Sequence, residues 1–371
     1  MTDTAEDLLF DLTLTDDQRM NRDTMVRFAG AEIRSLAKSV DTGESSAMDF
    51  YPKTAELGLT LLPIPEALGG AGVDRSPVSN ALIFEDLAHG DLAIALGSVA
   101  PLGFVNTLID QGTDAQREQF LPQFCTGEFV AATTALLEPR ATFEPSEPAT
   151  NATSNADGYS LSGTKAMVAL GIDSTLTLVI AQLDGEGHGA FIVEGTPDGM
   201  TRTAEDNMGL RGAQLATIVF DNVQLPATAL LGEGNFDLQR FIDLSRLGLC
   251  ALAVGTCQAV LDYVIPYCNE RVAFGEAITN RQSVAFMIAD MAIELEAMRL
   301  MTWRAASLAE RGEDFHEQAY LAKQFCSKHA MKIGTDGVQL LGGHGFCCEH
   351  PVELWYRCLR AIDTLEGLAS V

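Results

Sequence analysis

Residues 339–367 read QLLGGHGFCCEHPVELWYRCLRAIDTLEG. Gln339-Leu340-Leu341 closes an amphipathic helical run, and Gly342, Gly343 and Gly345 follow at once. Glycines at a helix end let the backbone turn sharply and come close to a ligand. Pro351 restarts the chain at a position suited to a new helix, and Val352, Trp355, Tyr356 and Leu359 recur beyond it at helical spacing. Glu366 therefore falls about two turns past the core contacts, next to the conformationally free Gly367. A carboxylate so placed can reach into a cleft.

Composition bounds what surrounds this stretch. With 371 residues, 47% hydrophobic and 20% charged, the chain can bury a large core and divide into two or three substructures. A formal charge of −27, from 51 acidic against 24 basic residues, argues against a nucleic-acid backbone or an anionic membrane surface as partner. The N-terminus, MTDTAEDLLFDLTLTDD, is acidic and lacks the basic and apolar parts of a secretory leader. No apolar run approaches the roughly 20 residues of a membrane span. The eight cysteines have no C-x-x-C spacing and read as reduced, mostly buried thiols. The expectation is a cytoplasmic protein with no nucleic acid and no membrane as partner.

Working back along the chain, Thr15 with Gln18 three residues on has the form of a capping box, and Met25, Phe28, Ala29, Ile33, Leu36, Ala37 and Val40 mark a helical stripe. Tyr51 to Leu59 reads as helix. The stretch from Leu62 to Gly72 is too rich in Pro and Gly for helix or strand, and its glycine spacing does not fit a dinucleotide loop. Near Gly127 the character changes, and short β-branched runs follow at Tyr159–Leu161, Thr175–Ala181, Ala190–Val193 and Thr217–Phe220. Helix returns with the apolar run Leu244 to Tyr267 and with Val284, Met287, Ile288, Met291, Leu295, Met298 and Met301 at intervals of three and four, the core seam of a bundle. An apolar helical surface this large predicts an oligomer built on residues 244–267 and 284–311. Between the two runs stand Arg271-Val272-Ala273-Phe274-Gly275 and then Gln282. A guanidinium suits a pyrophosphate, a phenyl ring packs on a flat ring system, and an amide gives directional hydrogen bonds.

In sum these segments resemble the acyl-CoA dehydrogenase superfamily from roughly Asp16 to Gly367. The opening stretch is similar to its Q-x-x-G-G-x-G-Y/F turn, P-V-E-x-x-Y-R helix and E-G pair. Phe84-Glu85-Asp86-Leu87-Ala88-His89-Gly90-Asp91, Gly112 to Pro122, Gly158 to Lys165, Met208-Gly209-Leu210-Arg211-Gly212, Val219 to Pro226 and Arg271 to Gln282 fall in the family's order. The resemblance implies an α+β fold: an N-terminal helical domain over 1–128, a middle β-barrel-like domain over 129–236 and a C-terminal four-helix bundle over 237–371. It implies FAD as cofactor, an acyl-CoA thioester as substrate and an electron-transfer flavoprotein as acceptor. Glu366 falls on the catalytic base, which takes an α proton while the β hydrogen leaves as hydride to the flavin. Arg246 falls on an arginine at the substrate side. Some members carry their base just before it, where this chain has Ser245.

In typical members two subunits hold each flavin, and this chain keeps the two halves unequally. The set a subunit offers to its neighbour's cofactor is present: Arg271, Phe274, Gln282, Gln339, Gly342 and Gly343. The set it offers to its own is eroded. T-E-P-x-A-G-S-D reads Leu137-Glu138-Pro139-Arg140-Ala141-Thr142-Phe143-Glu144, K-M-W-I-T-N-G reads Lys165-Ala166-Met167-Val168-Ala169-Leu170-Gly171, and no T-x-E-I-Q tail follows Glu366. Several polar contacts of about 1 kcal/mol each are thereby lost. The implied protein is a subunit of a heteromeric acyl-CoA dehydrogenase that shares FAD at an interface with a related chain. A homotetramer with an altered flavin grip, a flavin oxidase or monooxygenase, and a non-catalytic scaffold stay open. The cluster Cys347, Cys348, Glu349, His350 with His344 lacks structural zinc spacing, and no G-x-S-x-G elbow marks a hydrolase.

Overall fold

The computed structural model describes residues 13–184 and 187–371. Residues 1–12, read above for a leader, lie outside the described residues. The first layer is helical. Helix α1 (Asp16–Phe28) starts on the capping box read from the sequence, in which Thr15 and Gln18 satisfy each other's backbone donors. It runs through a single π turn into α2 (Arg34–Thr42), which stops at Gly43 in the left-handed region. The segment predicted as helix from Tyr51 to Leu59 is helical only over α3 (Tyr51–Ala55) and then breaks into turns. Next come α4 (Pro77–Ala88), α5 (Leu92–Gln111) and α6 (Asp114–Phe120).

Helix α5 shows no apolar stripe because it is apolar nearly all round, the signature of a helix enclosed on every side, while α4 buries Glu85 and Asp86 in ion pairs with Arg22 and Arg299. Helix α5 and α7 (Leu238–Glu270) are in fact long and apolar enough to cross a membrane by length and composition. That corrects the sequence estimate that no such run exists. Yet 94% and 78% of their most apolar windows are buried inside the protein, so they are its core helices.

A seven-stranded sheet follows, made of β1 (Ala132–Ala135), β2 (Asn151–Asn155), β3 (Gly158–Val168), β4 (Leu176–Leu183), β5 (Gly187–Glu194), β6 (Met200–Ala204) and β7 (Ala216–Pro226). Its order is β1-β4-β2-β3-β7-β6, with β5 paired antiparallel to β4. The long hairpin-like pairing of β3 with β7 puts Lys165 opposite Ile218 and carries it into the interior. Among the described residues no pairing closes β6 onto β1, so the sheet is open rather than a closed barrel. Tyr51 joins the first layer to this one: its hydroxyl donates to the Gly212 carbonyl at 2.5 Å with both groups buried.

The last layer is a bundle of α7, α8 (Gln282–Glu310), α9 (His316–Leu341) and α10 (Val352–Leu359), with a small hairpin, β8 (Val272–Ala273) and β9 (Glu276–Ala277), between α7 and α8. Helices α4 and α7 touch backbone to backbone at Gly255, where a Cβ would overlap the Glu85 carbonyl. The sequence reading of α8 holds for its inner face, since Met291, Leu295 and Met298 are fully buried. The oligomer surface it predicted needs correcting. The run from 244 to 267 is enclosed by its own chain, because α4, α8 and α9 all pack on α7. Helix α8 instead keeps Phe286, Ile293 and Leu300 exposed at spacings of seven, a row along one outer face.

Candidate active site

Glu366 is delivered by a short sequence of backbone constraints. Helix α10 ends in a 3₁₀ turn over Arg360–Asp363, Leu365 is fully buried, and Gly367 takes φ 75°, a conformation that suits glycine. A Cβ at Gly367 would overlap Leu136, so a glycine is what lets the chain pass this close to the end of β1. The Glu366 side chain is 14% exposed and lies between two cations. Arg246 Nε of α7 stands 3.3 and 3.4 Å from its two oxygens, and Lys323 Nζ of α9 stands 3.4 Å from Oε1. Lys323 is 2% exposed and also donates to the Leu365 carbonyl at 2.8 Å.

The network continues behind Arg246. Its Nη1 lies 3.6 Å from Asp243, which takes hydrogen bonds from Gln239 and from the His316 ring. Burial pushes the Asp243 carboxyl above its ordinary range, against the pull of His316, Gln239 and Arg246. The two residues singled out from sequence, Glu366 and Arg246, are thus brought into contact. Lys323, Asp243 and His316 escaped the sequence reading. Lys323 sits in a helix whose polar positions look solvated, and only its contact with residues 365 and 366 makes it a buried counter-ion.

Beyond Glu366 the chain stays inside. Leu368, Ala369, Ser370 and Val371 are each at most 3% exposed and run between α5 and α7. The Val371 amide donates to the Leu244 carbonyl at 3.3 Å, Asn106 Nδ2 donates to the Ser370 carbonyl at 3.2 Å, and Thr134 of β1 donates to the Gly367 carbonyl.

The other predicted set lies at the far end of the bundle. Arg271 follows α7, and it is 25 residues from Arg246 on the same axis, roughly 37 Å at the helical rise. Phe274 tips the β8–β9 hairpin at φ 56° and is 93% exposed, with the Arg281 guanidinium 5.0 Å over its ring. A bulky aromatic in the left-handed region is costly, and such costs concentrate at binding sites. Gln282 opens α8, while Gln339, Gly342 and Gly343 end α9, and all four are exposed. The turn at 341–344 is tied to the same end of α7, since the Tyr267 hydroxyl contacts His344 Nδ1 at 2.9 Å. Among the described residues the side chains of Arg271, Gln282 and Gln339 have no hydrogen-bond or ion-pair partner within the chain. The Cys/His cluster resolves as packing: His344 and His350 stack at 5.0 Å, and His350 bonds to Tyr263. No group of three metal-ligating side chains occurs among the described residues.

The loops that would face a flavin on this chain's own side are committed elsewhere. The Ala166 amide donates to the Leu137 carbonyl, the Met167 amide to Glu205, and the Leu170 amide to the Ala213 carbonyl. Val168, Ala169 and Leu170 are fully buried apolar groups. Lys165, wholly buried, pairs with Glu138 at 2.8 Å, and Glu138 also accepts the amides of Ala149 and Thr150 at 2.8 Å each. Burial pushes Lys165 down to about 8, with Glu138 pulling the other way. Burial pushes the Glu138 carboxyl up, but Lys165 and the two amides outweigh it and hold it below its ordinary range. The cavity beside Met167, lined also by Asn207, Met208, Arg357, Arg360 and Thr364, measures about 190 Å³, and a second one of about 540 Å³ shares Met208 and Arg357 with it. Val168, Ala169 and Leu170 thus offer no polar side chain to the edge of a flavin, where the family pattern has an aromatic ring, a hydroxyl and an amide.

Comparison with known proteins agrees with the order of layers. Three family models match in succession: the acyl-CoA dehydrogenase N-terminal domain over residues 15–128, the middle domain over 133–223 and the C-terminal domain over 232–371. The chain is 32% identical to the short-chain specific acyl-CoA dehydrogenase of rat mitochondria over 96% of its length and 88% of that protein. It is 35% identical to the short-chain specific acyl-CoA dehydrogenase of Megasphaera elsdenii over 87% of each. The solved structure of butyryl-CoA dehydrogenase from the same organism superimposes with a TM-score of 0.87 at 31% identity, covering 95% of both chains. The fold and these likenesses define a class of oxidoreductases acting on CH–CH bonds. The chain belongs to the acyl-CoA dehydrogenase family, in which FAD is the expected cofactor.

Proposed function

We propose that this chain is a subunit of an FAD-dependent acyl-CoA dehydrogenase that works in a mixed oligomer. It lends Arg271, Phe274, Gln282, Gln339, Gly342 and Gly343 to a flavin seated chiefly on a related partner chain. The reaction is the α,β-dehydrogenation of an acyl-CoA, with an electron-transfer flavoprotein as acceptor, in the cytoplasm. The observation that carries the reading is the exposed set at the end of the bundle, in which Arg271, Gln282 and Gln339 lack a partner, roughly 37 Å along α7 from Arg246. One chain has the giving half of a flavin site at one place and a seat unfit for the ring at another. The three domains run 1–128, 129–236 and 237–371. In this chain Glu366 acts as the counter-ion of Arg246 and Lys323, and the working base belongs to the partner.

The test is flavin content. The chain purified alone is expected to carry little or no FAD, and the chain purified with its related partner is expected to carry it. Stoichiometric FAD in a pure homo-oligomer would sink the proposal in favour of a homotetramer with an altered grip. Glu366→Gln in the complex separates the same two readings, since it leaves turnover nearly intact if the partner supplies the base and abolishes it otherwise.

A further inference from the structure

The slot beside Glu366 is built like a ligand site and is filled by the protein itself. Helices α5 and α7 approach residues 368–371 through glycines: Gly103 allows the Ser370 amide, and a Cβ at Gly248 would overlap the Ala369 carbonyl. Two polar atoms around the slot are orphaned, Asn106 Oδ1 and Ser245 Oγ, on side chains with no measurable exposure. Asn106 itself bonds the Ser370 carbonyl, and Ser245 lies on the face of α7 that carries Gly248, three residues on, where Ala369 packs. Buried polar groups are normally paired, and each one left unpaired costs about 1–3 kcal/mol. Peptide in the slot therefore satisfies it incompletely. A segment of four residues spans at most about 13 Å, the reach of a medium-length acyl chain.

We propose that Leu368–Val371 stand in for an acyl chain. The space between α5 and α7 beside Glu366 is an acyl slot that this subunit keeps filled with its own backbone, so that acyl-CoA enters only the partner's site. The proposal rests on the family reading of Glu366 as the reacting end of the site. It does not depend on the sharing of flavin, and its test uses neither flavin nor partner. A failure here leaves the FAD measurements standing, and a failure there leaves this one standing.

The probe is octanoyl-CoA, titrated calorimetrically into the flavin-free chain. The unaltered chain is expected to bind weakly. A variant with a stop codon in place of Leu368, and Asn106→Ala, which removes the hydrogen bond to the Ser370 carbonyl without filling the slot, are each expected to bind at least tenfold more tightly. Equal affinity in a variant that keeps its far-ultraviolet circular dichroism overturns the proposal. Should both variants fail to fold, amide hydrogen exchange of the unaltered chain decides. Saturating octanoyl-CoA must speed exchange at Val371 and Ser370, and unchanged exchange overturns the idea.

Discussion

Glu138→Ala is expected to destabilise the chain by about 3–5 kcal/mol, the cost of leaving a buried charge without its partner. The carboxylate it removes serves Lys165, Arg140 and the amides of Ala149 and Thr150, and it is 4% exposed. Lys165→Met should cost less. That change leaves Glu138 with Arg140 and two amides, and it replaces a desolvated ammonium by an apolar group of similar length. The order of the two variants in urea melts tests whether Glu138 is the hub.

The pH dependence has a definite sign. Lys165 titrates near 8 in the folded chain and near 10.4 unfolded, so between these values the unfolded chain binds more protons and stability gained from losing the buried charge rises with pH. Once Lys165 is neutral the pair no longer exists in either protein. The deficit of Glu138→Ala, measured against the unaltered chain, is therefore expected to be largest near pH 7 and to shrink toward pH 10. At the acid end the lowered Glu138 carboxyl contributes stability that is present above its unfolded value and disappears as pH falls through the folded one.

Arg271→Ala has the contrasting profile. The side chain is exposed and has no partner within the chain, so the melting curve should stay within about 0.5 kcal/mol of the original. In the proposed complex with a partner chain, FAD affinity should fall by about tenfold to a hundredfold, because a guanidinium on a desolvated pyrophosphate would make a charge-assisted contact of about 1.5–3 kcal/mol. Flavin occupancy and acyl-CoA-dependent dye reduction on the same samples give the readout. Unchanged occupancy would mean that the flavin does not use this end of the bundle.

Local signals of the fold were legible where short-range physics decides them. The capping box at Thr15 appears as read, and the β-branched runs fall in β3, β4, β5 and β7, with only Thr175 lying one residue before its strand. Strands β2 and β6, Asn-Ala-Thr-Ser-Asn and Met-Thr-Arg-Thr-Ala, went unread because their side chains are mostly polar and half exposed, and only pairing with β3 and β7 makes them strands. The contact between Glu366 and Arg246 joins residues 120 apart, and only the family order could bring them together on paper. Nothing local announces that Lys323 is buried. Periodicity marked the inner seam of α8 but gave no warning of its outer row, since Phe286, Ile293 and Leu300 read as ordinary members of an apolar helix.

That outer row has a consequence for the life of the chain in a cell. Phe286, Ile293 and Leu300, with Phe274 and Phe346 elsewhere on the bundle, are 40–93% exposed, and such surface attracts chaperones and proteases as long as nothing covers it. In the proposed mixed oligomer, a copy made in excess of its partner would be degraded rather than stored. Abundance of this protein should then follow the dosage of the partner gene, and its half-life in a pulse–chase experiment should shorten when that gene is deleted although its own transcript is untouched.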